Sequence, residues 1–90
     1  MKQIEIVIQN RTGLHARPAK VLVNLAKKFK SEISLHHGGK RANAKSMVSV
    51  LTLGAVSGSD ITVQANGVDE DKAITEIETA ILAGLGDNDS

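Results

Sequence analysis

From Lys2 to Ile8 apolar and polar residues alternate, with Ile4, Ile6 and Ile8 on one face. A period of two predicts a half-buried strand. After Ala16 the period lengthens. Ala19, Leu22, Ala26 and Phe29 recur at three and four, and Val23 and Leu25 widen the stripe. That spacing predicts a helix from Ala16 to Phe29, with Lys20, Lys27 and Lys28 facing water. Pro18 falls in its first turn, where a missing N–H removes no bond. Glu32 to His37 alternates again, with Ile33 and Leu35 inward, and Gly38-Gly39 then signals a hairpin into a strand over Lys40 to Ala44. Met47 to Leu53 is apolar but ambiguous. Ser46 as a cap and Gly54 as a stop favour a short helix, whereas β-branched Val48 and Val50 favour a strand. Asp60 to Ala65 predicts a fourth strand through Ile61, Val63 and Ala65. Asp69 is placed to cap a last helix, with Glu70 and Asp71 in its first turn. Ala73, Ile77, Ala80 and Ile81 form its buried stripe, with Ile74 and Leu85 at the margins. Gly84, Gly86 and the polar end predict fraying.

The element order is therefore β-α-β-β-α-β-α, an α+β arrangement. A mostly antiparallel sheet with a single apolar face calls for helices on that face. Ninety residues make one domain, 1–90, with 86–90 read as a frayed tail or the start of a linker. Phe29 is the only aromatic residue, so the core must be aliphatic. The absence of cysteine excludes disulfides, thiolate metal sites and a cysteine nucleophile. No apolar run reaches membrane-spanning length and no signal-peptide pattern opens the chain, so a cytoplasmic location without membrane insertion is expected.

Charge is unevenly spread. Residues 1–45 hold ten of the eleven Lys and Arg against Glu5 and Glu32, while residues 46–90 hold Lys72 against eight carboxylates. A basic side and an acidic side follow, and the basic side suits an acidic protein surface, a phosphate or a nucleic acid. The lack of Tyr and Trp removes the usual stacking platform, and no nucleic-acid partner is expected.

The chemistry concentrates in NRTGLHARPA, residues 10–19. His15 lies just before the first predicted helix. The opening N–H groups of a helix have no intrahelical acceptor, and with the helix dipole they attract anions. Arg17, two residues on, adds a fork of donors suited to phosphate oxygens. Among the side chains here, only an imidazole is both a good nucleophile near neutral pH and a covalent phosphate carrier. By itself, a histidine at a helix cap is an ordinary surface residue. His36 and His37 are adjacent on a strand and point to opposite faces, so no metal site is expected and both read as structural or solvent-facing.

Two separated motifs give the stretch a context. Thr12 to Ala19, TGLHARPA, resembles the phosphorylation-site motif of the histidine-containing phosphocarrier (HPr) family of the sugar phosphotransferase system. Ala44-Lys45-Ser46-Met47 resembles the family's second signature, around a regulatory serine. Leu53-Gly54 and Asn66-Gly67-Val68-Asp69-Glu70 resemble further landmarks at the expected distances, and the resemblance spans residues 2 to about 85. It implies an open-faced β-sandwich, βαββαβα, with antiparallel sheet order 1-4-2-3 and a short helix over 47–53. It further implies a relay protein without cofactor. His15 would carry the phosphoryl group on Nδ1, Arg17 would position it, and the N–H groups of Ala16 and Arg17 would hold its oxygens. The implied donor is the phosphoenolpyruvate-protein phosphotransferase, and the implied acceptors are sugar-specific domains of the EIIA type. A serine kinase or phosphorylase acting on Ser46 belongs to some branches.

From the motif and its surroundings, Leu14, Met47 and Val48 are expected to form an exposed apolar docking patch, ringed by Arg17, Lys20, Lys27 and Lys45. A monomer is expected. The chain departs from the family at Met47-Val48, where branches tend to carry Ile-Met or Leu-Phe, and at Ser49, where glycine or lysine is usual. Two alternatives stand beside the carrier reading. One is a regulatory binding protein controlled by Ser46, a class that lacks the active histidine. The other is a carrier serving nitrogen regulation.

Overall fold

The computed structural model describes residues 1–86. In chain order the elements are β1 (Lys2–Val7), α1 (Ala16–Ala26), β2 (Glu32–His37), β3 (Lys40–Asn43), α2 (Met47–Thr52), β4 (Asp60–Asn66) and α3 (Glu70–Leu82). The strands form one antiparallel sheet ordered β1-β4-β2-β3. This is the βαββαβα open-faced sandwich expected from the sequence.

Alternation decides which face is covered. Ile6, Ile33, Leu35, Ala42, Ile61, Val63 and Ala65 are buried. They meet Ala19, Leu22 and Ala26 of α1 and Ala73, Ile77 and Ile81 of α3 in one aliphatic core. The other face is polar and uncovered. There the His36 ring donates through Nε2 to Gln64 Oε1 (3.1 Å), and Gln64 donates to Gln3 (2.8 Å). The His37 ring donates through Nδ1 to the Asp60 carbonyl (3.1 Å). Both histidines are therefore absorbed by the sheet.

Several boundaries differ from the expectation. The α1 helix ends at Ala26, short of Phe29. The chain tightens there, with Lys28 N–H donating to Leu25 O (3.0 Å) and Phe29 N–H to Ala26 O (3.2 Å). Phe29 still buries its ring. Ile8 lies beyond β1 but remains buried, tied by its backbone to Gly58 and Ser59. The β2–β3 pairing is extended one step by Ala44 N–H to Ile33 O (2.9 Å).

Asp69 is the N-cap residue of α3, yet its carboxylate does not cap the helix. It accepts instead from the Ser31 hydroxyl and from the N–H groups of Lys30 and Ser31 (2.9 Å each). The Ser31 hydroxyl and then the Lys30 N–H lower its pKa from 3.8 to about 2. The reason is proximity. Gly67 passes so near Ser31 that a Cβ on it would fall 2.6 Å from Ser31 Cα. The helix start is served by Glu70, whose Oε1 accepts from Gly67 N–H (3.2 Å) while Oε2 pairs with the N-terminal ammonium (3.1 Å). These contacts hold the Glu70 carboxyl below the usual range, the Gly67 bond most of all.

The end of α3 does not fray at Gly84 as expected. Gly84 N–H donates to Ile81 O and Leu85 N–H to Ala80 O (3.0 Å each), the paired bonds of a Schellman turn. Leu85 is buried rather than marginal, because that turn folds its side chain back onto the helix. Of the expected tail, 87–90 lie outside the described residues.

Candidate functional site

The site begins where β1 gives out. Ile8 is anchored to the 58–59 loop, and Asn10 to Gly13 then close a turn, with Gly13 N–H donating to Asn10 O (3.2 Å). Gly13 has φ +69°, and a Cβ there would lie 2.6 Å from Val56 Cα. Only glycine combines that backbone with so close an approach. Leu14 N–H donates to Ala55 O (2.9 Å), and its side chain enters the core. The chain emerges at His15.

His15 occupies the N-cap position of α1 in extended backbone (φ −101°, ψ −165°). Its carbonyl accepts from Ala19 N–H (2.9 Å), which closes the first turn. Its ring makes no capping hydrogen bond and the residue is exposed. Ala16 and Arg17, the next two residues, are also exposed. Pro18 and Ala19 behind them are buried and fix the start of the helix. His15 and Arg17 are thus both exposed at the open end of an eleven-residue helix. Together they can bind and stabilise a tetrahedral anion attached to the ring.

The docking residues divide. Leu14 was expected in the exposed patch but is only 3% exposed, because Ala55 draws it inward. Val48 is 73% exposed and Met47 lies half-buried on α2, which packs against α1. Two further apolar residues that sequence reasoning did not name are exposed. Leu51 is 40% exposed, and its spacing from Val48 on a helix was the available signal. Val56, 62% exposed, lies against Gly13. No local pattern announces Val56, because its place depends on a contact between segments distant in sequence.

The cations divide as well. Lys20 is exposed one turn beyond Ala16. Lys27 is exposed at the C-cap of α1, the far end of the helix from His15, about 18 Å along the axis. Lys45 bends away from a free rim position, and its ammonium donates to Phe29 O (2.7 Å). Ser46 is the N-cap of α2, and its hydroxyl oxygen accepts from Ser49 N–H (3.3 Å). Ser49 in turn accepts from Asn43 N–H (2.8 Å), so the departure at this position is used structurally. Among the described residues, no group of three or more His, Cys, Asp or Glu could hold a metal ion, and no helix is long and apolar enough to cross a membrane.

Comparison with known proteins agrees with this fold. The family model described as "PTS HPr component phosphorylation site" matches residues 2–82. An HPr of Thermoanaerobacter tengcongensis superposes with a TM-score of 0.94 at 40% identity, covering 98% of this chain and 99% of that one. A mycoplasma histidine-containing phosphocarrier protein superposes at 0.88 and 37% identity, covering 93% and 96%. The Bacillus subtilis protein Crh, a catabolite-repression protein seen as a domain-swapped dimer, superposes at 0.75 and 33% identity, covering 93% and 97%. With the family model matching residues 2–82 of the chain and the βαββαβα fold in place, this chain belongs to the HPr family of the phosphotransferase system.

Proposed function

We propose that the protein relays a phosphoryl group through His15. The observation that carries this reading is an exposed N-cap histidine whose ring is spent on no capping bond, beside Arg17 at the open end of α1. The donor is a phosphoenolpyruvate-protein phosphotransferase carrying phosphohistidine, and the acceptors are sugar-specific domains. The Nδ1 lone pair of His15 forms a new N–P bond as the donor's N–P bond breaks, and the bonding electrons return to the donor ring. One N–P bond replaces another, so the step is reversible and requires that water be kept away. The Arg17 guanidinium and the N–H groups of Ala16 and Arg17 take up the phosphoryl oxygens. Met47, Val48 and Leu51 supply the apolar contact, and Lys20 steers an acidic partner. One copy supplies every residue of the site, and the chain works as a monomer.

The test is direct. Incubation with the donor enzyme, phosphoenolpyruvate and Mg²⁺ should add one phosphoryl group that is labile to acid and stable to base. His15→Ala should abolish it, and His36→Ala and His37→Ala should not. Mass spectrometry placing the label on His36 or His37 would overturn the assignment.

A second reading draws on the likeness to Crh and on Ser46 at the cap of α2. In it the protein binds a regulatory partner after phosphorylation of Ser46 by a serine kinase. His15 with Arg17 favours the carrier reading, and labelling of Ser46 by a kinase with none of His15 by the donor would reverse that preference.

A further inference from the structure

The residue that holds the His15 loop in place is not in the motif. Asn10 is polar, uncharged and only 3% exposed. Its backbone oxygen accepts from Gly13 N–H (3.2 Å), and its side-chain Nδ2 donates to the Gly13 carbonyl. One residue therefore grips both the N–H and the C=O of Gly13. Gly13 in turn rests its α-carbon against Val56, and Leu14 hangs from Ala55. These contacts fix the chain immediately before the imidazole.

The same side chain carries a cost. Asn10 Oδ1 is buried and has no hydrogen-bond partner in the protein. A buried acceptor without a donor is destabilising. Turning the amide over would not help, since it would aim an oxygen at the Gly13 carbonyl. A residue kept for stability alone would not leave half of its amide unmet, and such exceptions call for a separate explanation.

We propose that Asn10 is a positioning residue for phosphoryl acceptance at His15. It acts by clamping Gly13, so that the ring stands at a fixed angle over the start of α1. This rests on the carrier reading above. Transfer between two proteins demands an aligned approach, and displacements on the order of 1 Å in such a site cost as much as a hundredfold in rate.

The proposal separates rate from stability. Replacing Asn10 by Ala removes the side-chain arm of the Gly13 clamp, leaving the backbone arm, but also removes the unmet Oδ1, so the two stability effects oppose one another. Asn10→Ala should melt within about 5 °C of the natural protein. It should still take its label on His15, with kcat for acceptance from the donor enzyme lowered roughly ten- to a hundredfold and KM changed little. The ring resonances of His15 should move in the NMR spectrum of the unphosphorylated variant. Asn10→Asp, nearly isosteric but without the Nδ2 donor, should lose at least as much kcat. Asn10→Ser retains a hydroxyl donor and should recover part of it. A folded Asn10→Ala with unaltered kcat and unmoved His15 resonances would overturn the positioning role. So would a large fall in melting temperature with kcat intact. If the natural protein takes no label on His15, the carrier reading falls and the positioning role falls with it. If it takes the label and Asn10→Ala transfers equally well, only the positioning role falls.

Discussion

At the scale of single residues, the polar side chains that matter most are those that tie separate segments together. Asp69 is the clearest case. A carboxylate bound by one hydroxyl and two backbone N–H groups is stabilised in its charged form, and its pKa falls to about 2. A carboxyl lowered on folding adds stability above its ordinary value of 3.8, and that stability is lost as pH falls toward 2. Asp69→Asn should therefore melt below the natural protein at neutral pH. The gap should narrow between pH 3.8 and 2, as denaturation curves across that range would show. A gap independent of pH would mean that the contact stabilises by shape alone. The sequence marked Asp69 as a helix cap because local spacing was the only information in view. Its true partners, Lys30 and Ser31, precede it by three strands and a helix.

At the scale of elements, local pattern carried the reading far. The alternation at Ile4 and Ile6, the stripe through Ala19, Leu22 and Ala26, and the hairpin at Gly38-Gly39 each became the element they predicted. Met47 to Leu53 was not decidable from periodicity, since Val48 and Val50 suit a strand as well as a short helix. The deciding feature was Ser46, whose oxygen accepts from Ser49 N–H and fixes the first turn. Ser46→Ala should therefore cost about 1 kcal/mol of stability, read from chemical denaturation, while phosphoryl transfer to His15 continues. Ser46→Asp retains a capping oxygen and should keep the fold. If Ser46 also serves as a switch, the added charge should slow acceptance from the donor. Full-speed transfer in that variant leaves the serine as a cap only. The exposed place of His15 and Arg17 at the start of α1 was legible because a turn, a helix start and a guanidinium are adjacent in the chain. Leu14 was misplaced for the opposite reason. Its burial follows from Ala55, which no local window contains.

At the scale of the whole molecule, the two halves of the chain differ in charge, yet the elements interleave them. Acidic α3 runs beside basic α1 on one side of the sheet. Exposed Lys20 and Lys27 share one face of α1 at a spacing of seven residues. An acidic partner approaching His15 meets Lys20 first and Lys27 from a distance. Lys20→Glu should lower the association rate with the donor more than Lys27→Glu, and added salt should shrink both differences, as stopped-flow measurements would show. Lys45→Glu should behave differently. Its ammonium secures Phe29 O, so reversal there should lower the melting temperature as well. An unchanged melting temperature would return Lys45 to the steering group. The support beneath His15 has a consequence for synthesis. Leu14 hangs from Ala55, Gly13 leans on Val56, and Ile8 is tied to the 58–59 loop. A chain leaving the ribosome shows its histidine early, before the segment that seats it has been made. Long-range closure of this kind is slow compared with forming one helix. A ribosome-bound fragment ending before Ala55 would thus offer the donor enzyme the phosphorylation motif without the seat, and the carrier becomes competent only when β4 arrives to complete the sheet.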